Sequence, residues 1–209
     1  MQTLAPEHYQ QMRAGAQVLE ADSFGDKVLR LKDGNFLKLF RRKRLFSSAL
    51  LWPYAQRFAD NAQSLQQQGI PCPQIIGVYR AAHLQRDVVH YHPLPGETLR
   101  QLHTAQRAPT NLLEQLAGFI AHLHDKGIYF RSLHLGNVVL TPSGELGLID
   151  IADMKRQNRP LTRTQRLRNF RHMLRDKSDR AWLYSDGNKR FANAYRKASG
   201  QSLQLEGLE

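Results

Sequence analysis

The strongest constraint on the fold is a change in the spacing of apolar residues near the middle of the chain. In the first part, AQVLEAD, DKVLRLK and NFLKLF alternate apolar and polar residues, and the turn residues SFG and DGN separate them as in β-hairpins. Later, NLLEQLAGFIAHLHDKG carries its apolar residues at helical spacing and ends at a glycine. The sequence therefore predicts an α+β fold with two lobes: a small antiparallel β N-lobe with a helix at residues 1–92, and a helical C-lobe at residues 93–209.

Smaller signals complete this plan. Helices are expected at about residues 6–15 and 47–68, the second interrupted or started by Pro53. The segments NVVLT and ELGLID, joined by PSG, predict a hairpin, and the end of the chain is expected to be helical, with Leu167, Phe170 and Leu174 on one face and arginines elsewhere. A cleft between two lobes is where a ligand is expected.

The net charge of +12 is concentrated in two segments, RRKR at residues 41–44 and residues 155–180, which carry ten Lys and Arg against two Asp. Such clusters indicate an anionic partner: a phosphorylated substrate, an anionic lipid or nucleic acid. Nucleic acid is the least favoured, since Phe170 is the only aromatic residue of the second segment and a stacking platform is missing.

Cysteine usage and hydropathy indicate the compartment. The single cysteine, Cys72, excludes an intrachain disulfide and is expected to be buried as a small apolar residue. No stretch approaches the roughly 18 apolar residues of a membrane span, and the N-terminus lacks the apolar core of a signal peptide. We therefore expect a cytoplasmic protein.

The segments FRSLHLGN and LGLID carry the chemical signal. Asn137 lies five residues after Ser132, and Asp150 lies thirteen after Asn137. This arrangement resembles the catalytic loop and metal-binding strand end of the protein-kinase-like fold. The similarity is to its small-molecule branch, the aminoglycoside and choline phosphotransferases and the bacterial lipopolysaccharide-core (Kdo and heptose) kinases. The resemblance covers about residues 17–178 and implies a kinase that uses ATP and Mg²⁺.

Asn137 and Asp150 are the predicted metal ligands, because an amide oxygen and a carboxylate from adjacent segments can hold Mg²⁺ against nucleotide phosphates. The alternatives are structural roles: Asn137 bonds its own loop backbone, and Asp150 caps the following turn.

Other nucleotide contacts follow from the resemblance. It implies that Lys38, in the strand NFLKLF, contacts the α- and β-phosphates, and the alternative is a lysine on a solvated strand face. Residues 47–68 contain no glutamate to pair with this lysine, so Asp60 either takes that role or is a surface residue. Gly25 is the only glycine of the expected phosphate-covering loop, ADSFGDK.

Ser132 stands where active relatives have the aspartate that accepts the proton of the acceptor hydroxyl. A serine hydroxyl is a poor base at neutral pH, and general-base catalysis typically contributes about 10²–10⁴-fold. Asp153 and His134 are the candidate replacement bases. Phe130 replaces the histidine that usually begins the motif, which indicates an apolar anchor for the loop.

Two functions remain open from the sequence. One is a kinase acting on a lipopolysaccharide-core sugar or another small hydroxyl acceptor, with an anionic small molecule or glycolipid as substrate. The other is a non-catalytic pseudokinase that serves as a binding or scaffold module in bacterial envelope biogenesis. In either case RRKRLFSSALLWPYAQRF could contact the anionic cytoplasmic face of the inner membrane or hold a phosphorylated sugar acceptor. The alternative is that its apolar residues belong to the core and its arginines to a solvated edge.

Overall fold

The computed structural model of the chain describes residues 1–42, 52–186 and 189–202. These residues form two compact units, Met1–Leu94 and Pro95–Glu209. Strands dominate the first unit and helices the second, which confirms the predicted α+β class.

The first unit is built on a six-stranded sheet in the order β1-β5-β6-β4-β3-β2. The short β1 runs parallel to β5, and every other neighbouring pair is antiparallel. The strands are β1 (Gln2–Thr3), β2 (Gln17–Asp22), β3 (Gly25–Arg30), β4 (Phe36–Arg41), β5 (Gln74–Ala81) and β6 (Arg86–His92). The two predicted hairpins therefore form as β2–β3 and β3–β4.

The two faces of this sheet bury different residues, because side chains alternate along a strand. Leu37 and Leu39 of β4 are buried in a cluster with Tyr9 of helix α1 (Pro6–Arg13). Lys38 and its neighbour Phe40 therefore face the other side, where Phe40 lies 6.2 Å from Phe58 of helix α2 (Tyr54–Gln66), measured between ring centroids.

Helix α2 ends at Gln66, close to the predicted end at residue 68. It begins at Tyr54, immediately after Pro53, and Trp52 lies before it; the remainder of the predicted start, 47–51, lies outside the described residues. Proline lacks a backbone N–H and is tolerated at a helix start. Whether Pro53 starts or interrupts the predicted helix depends on residues 47–51, so both interpretations stay predictions. Cys72 is buried as predicted, and burial raises the pKa of its thiol to about 12.

The second unit carries five helices in its described residues, the longest of which is the predicted α4. Helix α4 ends at Asp125, two residues before Gly127, whose φ of +73° suits glycine after a helix. The helices are α3 (Leu99–Thr104), α4 (Leu112–Asp125), α5 (Arg163–Met173), α6 (Lys177–Leu183) and α7 (Lys189–Ser199). None of the helices in the described part of the chain is long and apolar enough to cross a bilayer.

Short strands complete the second unit. A three-stranded sheet orders β10-β9-β7, and a separate antiparallel pair joins β8 to β11. The predicted hairpin NVVLT–PSG–ELGLID is β9–β10; the other strands were not predicted. They are β7 (Glu97–Thr98), β8 (Ile128–Phe130), β9 (Val138–Leu140), β10 (Leu146–Leu148) and β11 (Met154–Arg156).

The sequence predicts that the arginines of α5 lie on its outer face. One of them, Arg166, is buried instead and is 1% exposed. Its guanidinium donates to the carbonyl of Leu161 (2.9 Å), the hydroxyl of Tyr195 (2.9 Å) and the carboxylate of Asp125 (2.7 Å). These acceptors compensate the loss of hydration, so a cation can occupy the interior between α4, α5 and α7.

Candidate phosphotransfer site

The loop that begins at Phe130 is anchored at its first residue by burial and by a hydrogen bond. Phe130 ends β8 and is completely buried, as the sequence predicted. Its carbonyl accepts a hydrogen bond from the side-chain amide of Asn169 on α5. The loop is therefore fixed two residues before Ser132.

Ser132 and Asp153 are brought together. The Ser132 hydroxyl donates to Oδ2 of Asp153 at 2.7 Å. Asp153 ends the short 3-10 turn Ile151–Asp153, and its other oxygen, Oδ1, is buried without a hydrogen-bond partner among the described residues. The hydroxyl proton is thus directed at a carboxylate, and the lone pairs of Ser132 Oγ are left for another group.

Asn137 is 7% exposed and faces the same loop. Its amide nitrogen donates to the carbonyl of Ser132 at 2.9 Å, and its backbone carbonyl accepts from the N–H of Ile149 at 3.0 Å. The hydrogen bond from the Asn137 side chain to the backbone of its own loop, which the sequence offered as the alternative to a metal ligand, is therefore observed. It uses only the nitrogen, so within the described residues the amide oxygen is left for a ligand.

Asp150 is the residue after Ile149, whose N–H makes that hydrogen bond to Asn137. It is exposed and has a φ of +52°, a left-handed conformation that aspartate tolerates better than most residues. Its side chain makes no capping hydrogen bond to the turn that it precedes, so the capping alternative does not apply.

The oxygen donors of Asn137 and Asp150 suit Mg²⁺, which prefers hard oxygen ligands and keeps several waters. No group of three or more His, Cys, Asp or Glu side chains that could hold a metal occurs among the residues described. A metal bound here would take the rest of its coordination from phosphate and water, as Mg²⁺ does in nucleotide sites.

His134 is less suited to act as a base. Its Nδ1 lies 3.1 Å from the backbone nitrogen of Gly136, and its Nε2 lies 3.2 Å from the side-chain nitrogen of Asn137. Burial lowers the pKa of His134, and the charge of Arg100 lowers it further. The ring is therefore neutral, and both of its nitrogens face N–H groups of the loop.

Sequence reasoning missed the ion pair beneath this loop. Asp179 of α6 is 1% exposed; it accepts two hydrogen bonds from Arg100 of α3, at 2.9 and 2.7 Å, and one from the N–H of Leu135, at 2.9 Å. Arg100 and Asp179 are 79 residues apart, so no local pattern could have paired them.

A basic patch surrounds His172: it combines Arg168 and Arg175 of the basic segment 155–180 with Arg131, which the sequence did not place there. The charges of Arg131, Arg168 and Arg175 and of Asp153 all act on His172 of α5, and burial together with the arginines lowers the pKa of its ring. Nδ1 of His172 is buried and has no partner among the described residues, while Nε2 lies 3.5 Å from the hydroxyl of Tyr129.

The remaining candidates lie in the first unit. Lys38 is half-buried on β4, with its Nζ 5.7 Å from the centre of the Phe40 ring. Gly25 starts β3 with a φ of +108° and has open space where a side chain would stand. Both carboxylate oxygens of Asp60 accept hydrogen bonds at 2.8 Å, from Trp52 and from Gln56, and its pairing with Lys38 stays a prediction.

Comparison with known proteins identifies the family of the chain. The sequence profile of the phosphotransferase enzyme family (APH) matches residues 19–128, just over half of the chain. No curated protein is significantly similar in sequence. The chain is similar in structure to the bifunctional kinase-methyltransferase WbdD, with a TM-score of 0.49 and 15% identity, over 83% of this chain and 42% of that one. This chain thus spans well under half the length of WbdD. Because the profile matches more than half of the chain, the chain belongs to the phosphotransferase enzyme family, and it has a protein-kinase-like fold.

Proposed function

We propose that this protein is an ATP-dependent phosphotransferase that transfers a phosphoryl group to a hydroxyl of an anionic acceptor. The observation that carries the proposal is the hydrogen bond of 2.7 Å from Ser132 to Asp153. It supplies, through two residues, the carboxylate that the loop lacks at position 132.

The proposed nucleotide contacts are those implied by the family resemblance. Lys38 and Gly25 of the first unit serve the phosphates, and Asn137 and Asp150 of the second serve Mg²⁺. When bound, MgATP supplies the transferable phosphoryl group and a metal charge that offsets the charge developing on it. The amide oxygen of Asn137 supports this role, since the neighbouring nitrogen already holds the Ser132 carbonyl.

In the proposed proton path, the acceptor hydroxyl gives its proton to Oγ of Ser132 as its oxygen bonds to the γ-phosphorus of ATP. The bond from that phosphorus to the β–γ bridging oxygen breaks in the same transfer, and ADP leaves. Ser132 at the same time gives its own proton to Oδ2 of Asp153, so the serine ends unchanged and the carboxylate ends protonated. A relay of this kind needs the serine hydroxyl to be aimed at the carboxylate beforehand, and the hydrogen bond provides that orientation.

The basic patch of Arg131, Arg168, His172 and Arg175 supports an acceptor that already carries negative charge. Its three arginines act on His172, as does the charge of Asp153, and in the proposal they would hold an acceptor phosphate or carboxylate. A lipopolysaccharide-core sugar or glycolipid has this chemistry. The proposed location is the cytoplasm, with peripheral contact to the inner membrane. Half of the segment predicted to make that contact, residues 43–51, lies outside the described residues.

One observation favours a second candidate, a non-catalytic pseudokinase that binds partners in envelope biogenesis. Ser132 cannot itself act as the base, and Asp153 would then only hold the loop in shape.

The test is ADP release from MgATP with Kdo or a heptose as the acceptor. We expect Asp153→Asn to lower the rate by about 10²–10⁴-fold, the usual contribution of a general base. Glu145→Gln is the matched control, because it removes an exposed carboxylate of the same unit and should leave the rate unchanged. Under the pseudokinase alternative the unmodified protein shows no turnover, Asp153→Asn changes nothing, and only Ser132→Asp adds activity.

A further inference from the structure

The first unit contains a cavity of about 300 Å³ that the proposed reaction does not use. Helix α1, the turn between β2 and β3, and the start of β6 enclose it. Its walls include Tyr9, Arg13, Phe24, Leu39, Leu84 and Arg86.

This cavity opens on the sheet face opposite Lys38. Leu39 lines it, and successive residues of a strand point to opposite faces. A ligand bound here would therefore be separated by the sheet from the face that carries Lys38. It would still contact Phe24 and Gly25, which form the turn expected to cover the phosphates.

Arg86 supplies the recognition chemistry. Its side chain is 6% exposed, and its Nη2 donates to the carbonyl of Phe24 at 2.9 Å and lies 3.5 Å from the carboxylate of Asp22. Among the described residues, the N–H groups on Nε and Nη1 have no hydrogen-bond partner. Neither atom is fully buried, so both donors are open to the cavity, and an oxyanion there would accept charge-assisted hydrogen bonds from them.

The surrounding charges and walls define the ligand further. Arg13 pairs with Asp26 at 2.6 Å, and Arg41 lies 3.6 Å from the centre of the Phe24 ring, so cations exceed acids around the cavity. Leu39 and Leu84 form an apolar wall. The volume is at the lower end for ligand pockets, which limits the occupant to a small molecule.

We propose that this cavity is a binding site for a small anionic molecule, in which a carboxylate or phosphate group pairs with Arg86 and a compact apolar body lies against Leu39 and Leu84. Because Arg86 also holds the Phe24 carbonyl, binding is coupled to the conformation of the turn that carries Gly25. The inference is independent of phosphotransfer.

The test is NMR of the full chain, following the arginine Nε–H signals and the backbone amides of Phe24 and Gly25. The probes are benzoate and inorganic phosphate, titrated separately so that carboxylate and phosphate recognition are distinguished. We expect at least one probe to shift the Arg86 signal and both turn amides saturably. Arg86→Gln should weaken that binding about tenfold or more, as expected for loss of a charged hydrogen bond.

Two further variants make the result decisive. Leu84→Trp fills the cavity without removing a charge and should also abolish the shifts, whereas Arg30→Gln, an exposed arginine of the same sheet, should leave them intact. The proposal is overturned if neither probe gives a saturable shift, or if the exposed arginines respond in parallel with Arg86. It is equally overturned if Lys38→Met, rather than Leu84→Trp, removes the effect.

Discussion

The buried side chain of His124 makes the stability of the fold depend on pH. His124 is completely buried on α4, and its ring joins a continuous series of hydrogen bonds. Arg166 donates to the Tyr195 hydroxyl, which donates to Nδ1 of His124 at 2.8 Å. Nε2 then donates to the side-chain carbonyl of Asn169 at 3.1 Å, and the Asn169 amide donates to the carbonyl of Phe130. Every donor in this series has an acceptor only while the ring is neutral.

Protonation of His124 is therefore costly in the folded protein. Burial lowers its pKa to about 3, and the charge of Arg166 acts in the same direction. In the unfolded chain a histidine titrates near pH 6.5. The unfolded state thus gains a proton below that pH while the folded state does not, so stability falls by about 1.4 kcal/mol per pH unit between 6.5 and 3. Between pH 7 and pH 5 the loss from this one group is about 2 kcal/mol.

The assay is urea unfolding of the unmodified protein and of His124→Gln at pH 7 and pH 5. Glutamine can accept from Tyr195 and donate to Asn169 but does not titrate, and all other histidines are common to both proteins. We expect the variant to lose about 2 kcal/mol less stability than the unmodified protein on acidification. Equal losses in the two proteins would refute the reasoning.

Two other substitutions have expected outcomes, both measurable as the free energy of unfolding. Asp179→Asn should cost about 2 kcal/mol, which is less than the usual cost of breaking a buried ion pair because its partner Arg100 is partly exposed. Asp176 makes an exposed contact with the same arginine, so Asp176→Asn should cost less than about 0.5 kcal/mol. Gly127→Ala should cost about 3 kcal/mol or more, since its φ is +73° and a Cβ would collide with backbone carbonyls. Gly144→Ala, at a φ of +84° with open space around it, should cost only about 1 kcal/mol, and equal costs would contradict the steric argument.

The parts of the fold that follow from local spacing could be predicted from the sequence. The alternation around Lys38 gave its strand and the face it occupies, and helix α4 followed from its apolar spacing and from Gly127. Strands of two or three residues, such as β7 and β8, are too short to show a period. They form because neighbouring segments supply their hydrogen bonds.

The candidate site was predictable only in its residue types. The spacing of Ser132, Asn137 and Asp150 reflects one loop and one hairpin, so a local pattern contains it. The bond from Ser132 to Asp153 joins residues 21 apart, and the sequence could only name Asp153 as one of two possible bases. Arg86 was missed altogether, because its contact with Phe24 spans 62 residues and depends on the sheet being formed.

The most direct test of the central claim is calorimetric titration of the unmodified protein with MgATP. We expect saturable binding in the micromolar range that Asp150→Asn weakens, because this substitution removes one of the two proposed metal ligands. A folded protein that gives no binding heat with MgATP, with a circular dichroism spectrum that shows the expected strands and helices, would contradict it.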